Sequence, residues 1–136
     1  MMSNVRHLVV KGEYLYISCN RPGQVQRCKW QDLVKARLES DEKKVTFSEF
    51  ENVYVGTGAR TIVLTSDGKY LFACANSVSK IVAVRTSDMK VVAEIPADSY
   101  PVGMAISGDD SELIVTSQGK SNRGGNSVMV FSLSYK

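Results

Sequence analysis

The side chains able to do chemistry in this 136-residue chain are few and scattered. Its one histidine, His7, stands beside the apolar run Leu8-Val9-Val10, so any Ser-His-Asp or Cys-His arrangement would have to be built on it. A histidine so placed is expected to pack rather than react. Cys19, Cys28 and Cys74 offer no C-x-x-C pair and no accompanying histidine cluster, which takes away the usual spacing of a zinc site. Cys19 and Cys28 flank the turn Asn20 to Gln24 and leave two readings, small buried hydrophobes or a bridge across a hairpin. Asp67, Asp88 and Asp109 fall in turn signals, where a carboxylate steadies a bend, and nothing pairs them as acid and base. Gly119-Lys120-Ser121 lacks the glycine five residues upstream that a phosphate loop needs and opens no helix, so a plain hairpin loop is the better reading. No catalytic residue, no metal and no cofactor is expected.

The elements that position these residues repeat. Ile62-Val63-Leu64-Thr65 recurs as Met104-Ala105-Ile106-Ser107, a period of 42 residues, and Asp67 and Leu71-Phe72-Ala73 return at the same offset as Asp109 and Leu113-Ile114-Val115. Each unit strings short runs rich in Val, Ile, Leu and aromatics between turn signals such as Ser66-Asp67-Gly68-Lys69, and the runs are too short for helices. Four strands in a period of the forties predict an all-β chain of β-propeller blades, because one small sheet cannot bury both faces without stacked neighbours. Blade 1 is expected over about 5–56, blade 2 over about 59–98, and blade 3, incomplete, over about 101–136. The first unit is longer, and its excess sits mainly in 31–46, where Leu33, Val34, Ala36, Arg37 and Leu38 predict a short amphipathic helix with Asp32 as N-cap. Ser40 to Lys44 reads as a solvated charged loop.

The Pro/Arg lead-in, the apolar strand, Ser66-x-Gly68-Lys69 around Asp67, Tyr70-Leu71-Phe72-Ala73 and then Lys90-Val91-Val92-Ala93-Glu94-Ile95 resemble the YVTN-type β-propeller repeats of bacterial and archaeal surface-layer-like proteins. The resemblance covers nearly the whole chain except about 31–46. It is specific for fold and unspecific for activity.

Three blades do not close a ring. Met1 to Asn4 is too short to supply the outer strand missing after Ser127 to Leu133, where the chain runs out at Tyr135-Lys136. An open arc exposes two apolar blade faces and an unpaired edge. The expectation is either a piece of a propeller of about six or seven blades or a homodimer completing a six-bladed ring.

Strand direction then gathers the candidate site. The links from fourth to first strand and from second to third open on one face, bringing together Arg6, His7 and Arg60 with Asn20, Asn76 and Gln118. Arg21, Lys80, Lys120 and Arg123 join them from the second-to-third loops. This is a basic, amide-rich mouth suited to an anionic or hydrogen-bonding ligand or protein partner. The plainer alternative is that Arg6 and Arg60 bond carbonyls of neighbouring blades while Asn20 and Asn76 cap turns. Trp30, Tyr54 and Tyr100 offer stacking surfaces, though blade-packing aromatics are commoner.

A net charge of +3 is too mild to argue for nucleic acid or a membrane surface. No apolar run approaches the roughly 18 residues that span a bilayer, and MMSNVRHLVV has no signal-peptide layout. A soluble, unexported chain is expected, unless it belongs to a longer protein, in which case the resemblance implies a periplasmic or cell-surface setting. The function expected is a non-enzymatic binding or scaffold protein. Its alternative is a lactonase- or lyase-like propeller enzyme working through channel-lining polar groups and a metal.

Overall fold

The computed structural model describes residues 3–135 and arranges them as three antiparallel meanders stacked face to face. The first holds β1 (Val5–Lys11), β2 (Tyr14–Cys19), β3 (Gln24–Lys29) and β4 (Glu51–Tyr54), with α1 (Trp30–Leu38) between the last two. The second holds β5 (Ala59–Leu64), β6 (Tyr70–Ala75), β7 (Lys80–Arg85) and β8 (Lys90–Pro96), and the third β9 (Pro101–Ile106), β10 (Glu112–Ser117) and β11 (Ser127–Ser132). Strands pair in chain order within every sheet, so the fold is a partial β-propeller of two four-stranded blades and one of three strands. The reading of Met1 to Asn4 and of the Tyr135-Lys136 end falls partly on Met1, Met2 and Lys136, which lie outside the described residues.

Alternation along the strands explains the stack, since successive side chains point to opposite faces. Leu71, Ala73 and Ala75 of β6 and Val82 and Val84 of β7 meet Tyr16, Val25 and Val53 of the first blade. The residues between them, Phe72, Cys74, Ile81 and Ala83, meet Leu113 and Val115 of the third. Both faces of the middle blade are therefore buried, which is why β6 and β7 read as unbroken apolar runs. Each fully buried Leu or Val of this kind contributes about 1.5–3 kcal/mol.

The bends on the end of the stack away from the candidate mouth obey the 42-residue period at the level of single hydrogen bonds. The Thr65 hydroxyl and the Lys69 N–H donate to Asp67 Oδ1 at 2.7 and 2.9 Å, and the Tyr70 N–H donates to Thr65 Oγ1 at 3.2 Å. Ser107, Asp109, Ser111 and Glu112 repeat the pattern, with Asp109 Oδ1 accepting from the Ser107 hydroxyl at 2.8 Å and the Ser111 N–H at 3.1 Å. Three donors on one carboxylate hold Asp109 down to about 2, the Ser111 hydroxyl first.

The first blade departs from the repeat through its insertion. Trp30, Leu33, Phe47 and Phe50 fold over Leu15, Ile17, Cys19 and Cys28, so the insertion covers much of the outer face that a preceding blade would cover in a ring. An inner strip stays open, with Leu8 61% exposed, while on the opposite end of the arc Val128 and Val130 are 67% and 62% exposed. Asp32 is not the N-cap: the helix starts at Trp30 with Lys29 before it, and Asp32 sits in the first turn, where its charge faces the amide ends. None of the helix residues is buried, and Leu38 and Val34 are exposed, so the packed face reduces to Trp30 and Leu33. All three cysteines are free and buried. Cys19 pairs with Gln24 beside the turn and Cys28 with Leu15 near the far end of the same hairpin, so the two are not opposite each other and no bridge forms.

Candidate functional site

The mouth is organised by one backbone bond repeated in every blade. The first residue after the second strand donates its N–H to the carbonyl at the approach to the first strand: Asn20 to Asn4 at 2.8 Å, Asn76 to Gly58 at 3.1 Å, and Gln118 to Tyr100 at 3.1 Å. The three acceptors share a left-handed backbone, with φ of 60° at Asn4, 87° at Gly58 and 59° at Tyr100. At Gly58 a Cβ would also collide with the Asn76 side chain, so glycine is required there.

Between the first and second blades the side chains complete this join. Asn20 Nδ2 donates to the Ala59 carbonyl at 3.2 Å, and the Gly58 N–H returns a bond to the Asn20 carbonyl at 2.9 Å. The Ser18 hydroxyl donates to the Arg60 carbonyl. His7 Nδ1 accepts from the Ile62 N–H at 3.1 Å, where the β5–β6 register is irregular, so the only histidine ties two blades together. Asn20 thus holds a neighbouring blade's carbonyl, and Arg60 contributes its own carbonyl rather than its guanidinium to the join.

Between the second and third blades the equivalent side-chain bond is missing. Asn76 occupies the Asn20 position and is 2% exposed, yet its Nδ2 has no hydrogen-bond partner. Its Oδ1 receives the Ser77 hydroxyl at 3.4 Å. A cavity of about 490 Å³ opens here, walled by Asn76, Ser79, Ser99, Tyr100, Lys120 and Arg123 among others. The loop 118–126 forms its outer lip and is pinned by Asp98, whose carboxylate accepts from the Ser127 hydroxyl at 2.6 Å and from the Ser99 and Gly125 N–H groups at 2.7 and 3.1 Å. Those donors, the Ser127 hydroxyl first, hold Asp98 below the usual carboxylate range. Lys120 Nζ stands 5.7 Å from the Tyr100 ring centre.

The remaining candidates are dispersed. Lys80 is engaged by Glu94 at 3.2 Å, and Arg6 Nε donates to Asn4 Oδ1 at 3.1 Å. Gln118 is exposed beside the loop. Among the described residues no carboxylate lies within ion-pair distance of Arg6, Arg21, Arg60, Lys120 or Arg123. No group of three or more His, Cys, Asp or Glu among the described residues is placed to hold a metal.

Two residues with clear structural roles carry no obvious sequence signal. Arg27, 6% exposed, reaches across the first seam to the Thr86 carbonyl at 2.5 Å and pairs with Glu51 at 2.9 Å, its guanidinium 4.3 Å from the Tyr14 ring centre. Burial works against its charge, but Glu51 and Tyr16 outweigh that and raise its pKa. A charged residue inside the alternating run Val25 to Cys28 is the one hint. Asp98 follows β8 with nothing in its neighbourhood to mark it as a loop anchor.

A second cavity, about 670 Å³, is the apolar groove between the insertion and β1, lined by Leu8, Leu15, Ile17, Leu33, Phe47 and Phe50 among others. Cys74 adjoins neither cavity; burial pushes its thiol up to about 12, which removes it as a nucleophile.

No protein-family model matches the chain, and no curated protein matches it. Solved structures do. Hydrazine synthase of Kuenenia stuttgartiensis aligns with a TM-score of 0.75 at 21% identity, over 95% of this chain and 32% of that one. A candidate 6-phosphogluconolactonase of Bacteroides fragilis aligns with a TM-score of 0.71 at 18% identity, over 97% of this chain and 35% of that one. Hsv2 of Kluyveromyces lactis aligns with a TM-score of 0.62 at 18% identity, over 95% and 37%. At these identities the likeness is one of fold, and the chain spans about a third of the length of the propeller chains it matches.

Proposed function

We propose that the chain is a non-enzymatic binding segment of a YVTN-type, envelope- or surface-associated β-propeller, and that its basic mouth receives an anionic ligand or an acidic protein partner. The observation that carries this reading is the unpaired charge. The described ion pairs, Arg27–Glu51, Lys35–Glu39, Lys80–Glu94 and Arg85–Asp88, leave Arg6, Arg21, Arg60, Lys120 and Arg123 without a carboxylate. Cations left uncompensated at one end of a stack focus a positive field there. Titration with an acidic peptide tests it. Replacing Arg60 and Arg123 together by alanine is expected to weaken binding roughly tenfold, as loss of charge-assisted contacts does, and unchanged affinity would remove the site.

The open ends support a second copy as a partner. The bare outer face of blade 3 with Val128 and Val130 and the inner strip of blade 1 with Leu8 are apolar surfaces on opposite ends of one arc. Two copies joined blade 3 to blade 1, twice, make a closed six-bladed ring. The alternative reading, a lactonase-like enzyme, is supported by the name of the Bacteroides fragilis neighbour alone. Hydrolysis of a lactone panel that disappears in the Arg60 and Arg123 double variant would favour it over the binding reading.

A further inference from the structure

We infer that the seam between the second and third blades is a binding pocket for a single small oxyanion group, a carboxylate or a phosphate, held by Asn76, Lys120 and Arg123. The inference rests on the reading of this face as an anion-receiving mouth and narrows it to one place. Asn20 and Asn76 occupy equivalent positions, and each accepts the same structural duty through its backbone N–H. Asn20 spends its amide on the Ala59 carbonyl of the next blade. Asn76 makes no such bond, and its Nδ2 is left without a partner although the residue is 2% exposed. An unmet buried donor is costly, so a protein that keeps one gains if a ligand supplies the acceptor.

The surroundings specify the acceptor. The cavity of about 490 Å³ that Asn76 lines also takes in Lys120 and Arg123, neither of which has a carboxylate partner among the described residues. Asp98, which pins the loop, is occupied by the Ser99 and Gly125 N–H groups and the Ser127 hydroxyl and is no part of the cavity lining. A neutral amide donor and two cations lining one cavity match a group that carries negative charge on oxygen and accepts several hydrogen bonds at once. The loop bearing both cations is longer than its equivalent in the second blade, where Asn76 to Ser79 makes one short turn.

The test uses the full chain labelled with nitrogen-15, titrated with inorganic phosphate and, separately, with acetate, each at constant ionic strength against chloride. The expected result is a saturable shift of the Asn76 side-chain NH2 signals with one or both probes, and roughly tenfold weaker binding in Arg123→Ala. That exposed variant leaves the fold intact, which its backbone spectrum checks. Saturation by phosphate alone or by acetate alone names the oxyanion. Shifts no larger than those with chloride, or shifts unchanged in Arg123→Ala, would overturn the inference. The acidic-peptide titration separates the two readings: peptide bound with Asn76 silent removes the seam pocket and keeps the mouth, while a silent peptide with a saturating Asn76 keeps the pocket and removes the wider docking surface.

Discussion

The two seams of the arc join nearly the same sequence pattern in different ways. At the first, side chains of the first blade finish the join on backbone groups of the second: His7 takes the Ile62 N–H, Asn20 takes the Ala59 carbonyl, and Arg27 crosses to the Thr86 carbonyl. At the second, Thr61 donates to the Val102 carbonyl at 2.5 Å and the Ser66 N–H and hydroxyl bond Asp110 at the far end, but the mouth end is left open around Asn76. Where Ser18 bonds across the first seam, the third blade is met by Cys74, whose sulfur lies 3.9 Å from the Met104 sulfur. Both seams therefore combine stacked apolar faces with polar ties, and they differ at the mouth end, where the Asn20 side chain is bonded across its seam and Asn76 Nδ2 is not.

This contrast can be broken in several ways. Leu71→Ala, which empties a fully buried site in the core of the first seam, is expected to cost about 2–5 kcal/mol in denaturant unfolding. Arg27→Met tests the polar part of the same seam. It strips the Thr86 carbonyl of its buried donor and Glu51 of its partner, and is expected to cost about 1–3 kcal/mol. The sharpest comparison pairs equivalent positions: Asn20→Ala should cost about 1 kcal/mol for the lost inter-blade bond, whereas Asn76→Ala should cost less than half of that because its Nδ2 has no bond to lose. Equal costs would mean that the seams do not differ.

Acid unfolding reports on the turns common to both repeats. The folded Asp109 is held at about 2, below its ordinary 3.8, so its contribution is complete above 3.8 and fades as pH falls toward 2. Asp109→Asn should therefore lower stability at pH 7, with the gap to the parent protein closing between pH 4 and pH 2. The smallest effect concerns the thiols. Burial raises Cys19, Cys28 and Cys74, and a thiol reagent is expected to label none of them in the native protein at pH 8 while labelling all three in denaturant.

The blades were legible because a 42-residue period and alternating apolar runs are properties of sequence order, and each turn encodes itself in a Thr or Ser, an Asp and a left-handed residue. The grouping of Asn20, Asn76, Gln118, Lys120 and Arg123 on one end followed from strand direction. What did not follow was their difference: Asn20 and Asn76 are the same residue at the same repeat position, yet Asn20 Nδ2 is bonded across its seam and Asn76 Nδ2 is not. Lys80 read as a mouth cation because nothing local reveals that Glu94 stands beside it on β8. The insertion read as a helix and a loop, but its cover over blade 1 depends on Phe47 and Phe50 folding back across a sheet formed mostly earlier in the chain.

The proposal that a second copy closes the open arc, joining the Val128 and Val130 face of blade 3 to the Leu8 strip of blade 1, can be put to one test. Light scattering of the purified chain over a range of concentrations tests this directly. The account predicts a single species of about twice 15.0 kDa that falls apart when Val130, exposed on the end of blade 3, is changed to aspartate. A monodisperse 15.0 kDa particle at every concentration, unaffected by that change, would contradict it.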